Sequence, residues 1–214
     1  MALSKADFNN INVTPVASKK LKWNASANGF ETGDVGGSMV LLSTLTASSS
    51  ATLDFTSGID STYKEYVFKF IDIHPQTNFR HLGFQANVAG ASGFNETITS
   101  TAFINQHDEG DSATILQLEG DGIQQQATGF QIVLYGMGNE NDESGNGTLH
   151  LFDPSNTTFV KHFIADTNTH TDNDRSSRFF AGGYFNTTSA IDEIQFKMSG
   201  GNIDSGTIKM YGIV

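Results

Sequence analysis

The sequence predicts an all-β protein: a two-sheet antiparallel β-sandwich, jelly-roll-like, with an extended N-terminal arm. Three observations carry this expectation. Apolar residues alternate at period two through a series of short stretches. Clusters of Gly, Asn, Ser and Pro separate those stretches. No stretch of useful length shows the 3.6-residue period of an amphipathic helix. The composition agrees, with 17 Phe, 22 Gly, 3 Pro and no Cys in 214 residues. Aromatic and β-branched side chains suit a pleated, half-buried surface. A sandwich of this length commonly stays a single domain.

Residues 1–37 read as an arm. Ile11–Pro15, Lys20–Trp23 and Gly33–Gly37 are short extended pieces with few core candidates beyond Trp23, Phe30 and Val35. Such a segment buries too little to fold alone and suits attachment or oligomerisation. Trp23, the single Trp, is expected to pack in a core or an interface.

From residue 38 to 214 the chain reads as strands. Met39–Thr46 comes first, then Ala51–Phe55, with Leu53 and Phe55 on one face. Tyr66–Ile73 is the strongest: Tyr66, Phe68 and Phe70 face one way, Val67, Lys69 and Ile71 the other. A strand apolar on both faces is central in its sheet. His81–Val88, Thr97–Ile104, Ala113–Leu118, Gly129–Tyr135, Thr148–Phe152, Thr158–Ala165, Arg178–Phe185, Ile194–Met198 and Thr207–Ile213 follow. Gly182–Gly183, inside an aromatic strand, suggests a bulge or close packing. Residues 60–65 allow one helical turn at most. Residues 105–112 and 165–177 are polar enough to read as loops, the second as a mobile one. Long loops at one end of a sandwich are where binding usually lives.

The net charge is −11, with a pI near 4.7. A chain so poor in Lys and Arg neutralises few phosphates, which argues against nucleic-acid binding. It is also repelled by anionic membrane surfaces, and its apolar runs fall short of the ~20 residues of a membrane helix, so no membrane insertion is expected. Without cysteine there is no disulfide, thiolate nucleophile or thiolate zinc site. The first residues lack a long apolar core, so no signal peptide is expected.

Candidate chemistry is sparse. His107-Asp108-Glu109-Gly110-Asp111 gathers three carboxylates and an imidazole, the makings of half a calcium site. It lacks EF-hand spacing and reads first as a solvated turn. Asn139-Glu140-Asn141-Asp142-Glu143 and Asp172-Asn173-Asp174 are similar, since Asx-rich turns hydrogen-bond their own backbone without an ion. Histidines 74, 81, 107, 150, 162 and 170 show neither HExxH nor paired spacing. There is no Gly-x-Ser-x-Gly elbow, and no pair of carboxylates stands out for sugar cleavage. Triplets such as Asn95-Glu96-Thr97 arise by chance in a chain rich in Asn and Thr. The sequence therefore assigns no catalytic, cofactor-binding or metal residue and reads as a non-enzyme.

Several stretches resemble structural proteins of marine tailed bacteriophages. They are Leu42–Phe55, Asp60–Tyr66, Ile73-His74-Pro75, His150–Ser155, Phe159–Phe163, Gly183–Ile191 and Gly201–Ile208. The resemblance covers most of residues 38–214 and rests on packing and turn patterns. It implies a virion component of a tail or head appendage, tail-fibre-like. An arm that buries little alone, joined to a cysteine-free domain, leads to the expectation of a homotrimer. The arm would attach it to other virion proteins, and the distal loops would contact the host surface, with a glycan as a candidate ligand. A capsid decoration protein is the near alternative. A carbohydrate-binding or carbohydrate-active sandwich is the alternative from another class.

Overall fold

The computed structural model describes residues 19–34 and 38–214. The chain divides into two compact units between Ser38 and Met39. Expectations about residues 1–18 and 35–37, Val35 among them, lie outside the described residues.

In the first unit, β1 (Lys19–Trp23) and β2 (Phe30–Asp34) form an antiparallel hairpin. Its turn is closed by Asn24, whose backbone N–H donates to Gly29 O and whose side chain bonds Asn28. Trp23 pairs with Phe30 across the hairpin, and their rings stack at 4.4 Å. Trp23 is 61% exposed. Among the described residues Trp23 therefore packs in no core, and its ring contact is Phe30 on the hairpin surface; of the two expected uses, the interface one is left.

The second unit holds thirteen strands. They are β3 (Met39–Thr46), β4 (Leu53–Phe55), β5 (Glu65–Pro75), β6 (Arg80–Val88), β7 (Ile98–Asp108), β8 (Thr114–Leu118), β9 (Gln125–Ala127), β10 (Gln131–Met137), β11 (Gly145–Phe152), β12 (Lys161–His170), β13 (Arg175–Phe185), β14 (Ile191–Met198) and β15 (Ile203–Ile213). They build an all-β sandwich of unequal sheets. One sheet runs β10-β6-β14-β4. The other runs β3-β15-β5-β11-β12-β13-β7-β8, with β9 also paired to β7. All of the strand pairings are antiparallel.

The core lies between the sheets and is built of phenylalanine. Phe68 and Phe70 of β5, Phe163 of β12 and Phe185 of β13 come from the larger sheet, and Phe55, Phe84 and Phe196 from the smaller. Rings meet across the gap mostly edge to face: Phe55–Phe68 at 5.3 Å, Phe70–Phe196 at 5.5 Å and Phe84–Phe163 at 5.0 Å. That geometry sets the positive ring edge on the negative face. Strand β5 is central as expected, hydrogen-bonded to β11 on one side and β15 on the other. Tyr66, Phe68 and Phe70 all point inward.

The two polar loops are corrected. Strand β7 continues through residues 105–108, and 165–177 is chiefly the facing ends of β12 and β13 joined by a tight turn. The segment read as mobile is instead ladder-paired and half buried. Its alternation is between hydroxyls and other polar groups: Thr167, Thr169, Thr171 and Ser177 are buried, and Asn168 is exposed. Thr167 donates to Val133 O and Thr169 to Tyr135 O, both carbonyls of β10, the edge strand of the opposite sheet. A threonine can face a core when its hydroxyl finds an acceptor, and a hydropathy pattern does not register that.

Gly182 and Gly183 keep regular register with β12 and β7, so the bulge expected there is absent. The close packing is present. A Cβ on Gly183 would lie 2.5 Å from Thr99 O and 2.7 Å from the Phe163 ring.

Candidate functional site

The candidate site is at one end of the sandwich, where three acidic turns meet. Topology assembles it. Strand β13 pairs with both β7 and β12, placing Arg175 opposite Asp108 and Ser176 opposite His170. Strand β11 pairs with β12 so that Gly145 faces Thr169. The β7–β8 turn, the β10–β11 loop and the β12–β13 turn therefore emerge side by side. Backbone bonds tie them together: Glu109 N–H donates to Asp174 O (3.1 Å) and His170 N–H to Ser144 O (3.0 Å).

Three side chains, one from the β10–β11 loop and two from the β12–β13 hairpin, converge here. Donor atoms of Glu143, His170 and Asp174 lie within 4.8 Å of one another. His170 Nε2 is 3.8 Å from Asp174 Oδ1 and 4.0 Å from Glu109 Oε1. These distances exceed a hydrogen bond. Nε2 is withdrawn from solvent and has no hydrogen-bond partner among the described residues. The Glu143 carboxylate is buried and accepts from Glu140 N–H. Gly138 makes room for it, because a Cβ there would collide with the carboxylate. A cavity of about 280 Å³ adjoins the cluster, lined by His107, Asp108, Glu109, Asn168, His170 and Ser176 among others.

Of the three acidic motifs, the structure uses some residues locally and leaves others available. Asp108 is a turn residue. It accepts from Ser112 and Ala113 backbone N–H and from the Ser112 hydroxyl, and these bonds hold its carboxyl down at about 2. His107 pairs with Asp111 at 3.0 Å. Asp172 accepts from the Asn173 amide. Glu109, Glu143 and Asp174 are the members that face His170 or one another. The other histidines serve elsewhere. His150 contacts Glu65 at 2.6 Å, His74 the Glu140 carbonyl at 3.0 Å, and His81 accepts from Gly136 N–H and stacks on Tyr135 at 4.5 Å. Burial pushes the His81 imidazole below its ordinary value. Tyr135 is pushed up to about 12 by burial and by the charges of Glu119 and Asp121.

Two further surfaces stand out. On the outer face of the larger sheet, Phe103 and Phe180 stack at 4.7 Å beside Ile164, over a groove of about 310 Å³. Arg178 lies over the Phe180 ring at 4.5 Å while bound through two nitrogens to Asp166. Ile164, Leu116 and Leu118 are exposed on the strands around it. At the opposite end of β12, Phe152, Asn156, Phe159 and His162 line a cavity of about 510 Å³. Beneath it, the buried Lys161 ammonium donates to Phe159 O, and burial lowers its pKa. Composition indicated that aromatic residues were plentiful, but nothing in the alternation of β7 and β13 distinguished outward Phe103 and Phe180 from core residues.

No family model, no curated protein and no solved structure matches this chain.

Proposed function

We propose that the chain is a non-catalytic structural subunit of a bacteriophage particle, set on a tail or head appendage and packed against further copies of itself as a homotrimer. The observation that carries self-packing is the aromatic face of Phe103, Phe180 and Ile164. Large exposed apolar patches mark association surfaces. The occupant we propose is a second copy, and the charge on this face does not oppose it. Chains of net charge −11 repel one another, so copies approach through a surface without unpaired carboxylates. On this face Asp166 is neutralised by Arg178. The virion setting rests on the resemblance of most of residues 38–214 to phage structural proteins. Attachment to other virion proteins is assigned to residues 1–37.

Light scattering on the full chain tests the self-packing. A trimer is expected, and Phe103→Asp with Ile164→Asp should yield monomers that keep the β signal in circular dichroism, with a denaturation midpoint that no longer depends on protein concentration. A wild-type monomer at high micromolar concentration would overturn it. Mass spectrometry and imaging of purified particles test the setting: the protein should be present, at a copy number that separates an appendage from a capsid decoration. Its absence from particles would end the virion reading.

A second reading, glycan binding, is favoured by the cavity lined by Phe152, Phe159 and His162, with Phe159 68% exposed. An exposed ring beside polar groups suits a sugar face. Phe159→Ala should then abolish binding of host polysaccharide to the folded protein, and equal binding by the variant would refute this reading.

A further inference from the structure

We infer that the end of the sandwich built by Glu143, His170 and Asp174 is a binding site for one divalent transition-metal ion. The inference stands apart from the virion reading and rests on three observations.

The first is spacing. Ligands held about 2.0–2.2 Å from a common ion lie roughly 3 to 4.4 Å from one another, according to the angle between them. His170 Nε2 is 3.8 Å from Asp174 Oδ1 and 4.0 Å from Glu109 Oε1, and the donor atoms of Glu143, His170 and Asp174 all fall within 4.8 Å. Elsewhere in the protein, imidazole–carboxylate separations run from 2.6 Å for His150–Glu65 and 3.0 Å for His107–Asp111 to 3.9 Å for His74–Asp204.

The second is the imidazole. Its Nε2 is sheltered from solvent and has no hydrogen-bond partner among the described residues, yet it points at carboxylates. A buried polar atom without a partner is costly, and a lone pair aimed at a cation would satisfy it.

The third is the buried charge of Glu143, which is 4% exposed and among the described residues pairs with no Lys or Arg; Asp174, by contrast, stands on an exposed turn. Buried carboxylates are normally paired or metal-bound.

The donor set selects the ion. Imidazole nitrogen with carboxylate oxygen suits Zn²⁺ and its neighbours, whereas Ca²⁺ takes oxygen alone. A bound ion would join the β10–β11 loop to the β12–β13 hairpin.

Calorimetric titration of the full-length protein, stripped with chelator, tests this with Zn²⁺, Mn²⁺ and Ca²⁺ as chloride salts. Zn²⁺ should bind saturably at one equivalent and more tightly than Ca²⁺. His170→Gln and Asp174→Asn should each weaken Zn²⁺ by about 10-fold or more, while His107→Gln, beside the adjoining cavity, should leave it unchanged. Asp174 is on an exposed turn, so Asp174→Asn tests the site even if His170→Gln compromises folding, which circular dichroism would report. Three results would overturn the inference: no saturable Zn²⁺ binding up to millimolar concentration, wild-type affinity in both His170→Gln and Asp174→Asn, or loss of binding in His107→Gln in their place.

Discussion

Replacing Thr167 and Thr169 by valine tests the least expected feature of the core, a row of buried threonines on β12. Both are nearly inaccessible, at 2% and 1% exposure. Valine keeps the branched shape and exchanges a hydroxyl for a methyl. The change removes the donor to Val133 O in one case and to Tyr135 O, 2.7 Å away, in the other. Leaving a buried acceptor unpaired costs about 1–3 kcal/mol. The new methyl recovers at most about 0.8 kcal/mol. Each variant should therefore lose roughly 0.5–2 kcal/mol, and the double variant, whose sites are neighbours and not strictly additive, about 1–4 kcal/mol. In urea, with a slope of about 2 kcal/mol/M, a loss of 2 kcal/mol moves the midpoint by about 1 M at unchanged slope. Asn168→Ala, on the outward face between them, should stay within about 0.5 kcal/mol. If both valine variants match or exceed the wild-type midpoint, the hydroxyls are not what joins β12 to the edge of the opposite sheet.

Three other perturbations probe separate parts of the structure. Phe196→Ala should cost about 3–5 kcal/mol in a denaturant titration, because its fully buried ring meets Phe55, Phe68, Phe70 and Phe84. Gly183→Ala should lose about 1–3 kcal/mol by overpacking, since the added methyl meets Thr99 O and the Phe163 ring; a neutral result would mean that β13 shifts freely. Burial depresses the pKa of His81 from 6.5, so its neutral form is favoured by folding. Its contribution is complete above pH 6.5 or so and is lost as pH falls through the folded value. Wild-type stability should therefore drop between pH 7.5 and 5.5 by more than that of His81→Gln, and parallel pH profiles would refute the assignment.

Much of the sandwich was legible because burial on a strand imposes a two-residue period. Tyr66, Phe68 and Phe70 could be placed inward, and β5 in the middle of its sheet, from alternation alone. The same signal misled at Thr167–Thr171. There the inward residues carry hydroxyls, and whether a hydroxyl can be buried depends on an acceptor more than thirty residues earlier in the chain. It was also silent about Phe103 and Phe180, because an outward aromatic on β7 or β13 alternates just as an inward one does.

The site shows the division most clearly. The sequence by itself marked three acidic turns, each explicable as a loop satisfying its own backbone, and for Asp108 and Asp172 that local account holds. It determined the fold class, the strand-sized apolar runs, the absence of thiol chemistry and the acidic charge, because these depend on composition and on neighbours along one strand. Only the tertiary structure decided that Glu109, Glu143 and Asp174 gather about His170. That meeting depends on β13 pairing with both β7 and β12 and on β11 entering beside β12, and strand order is set by packing between residues far apart in the chain.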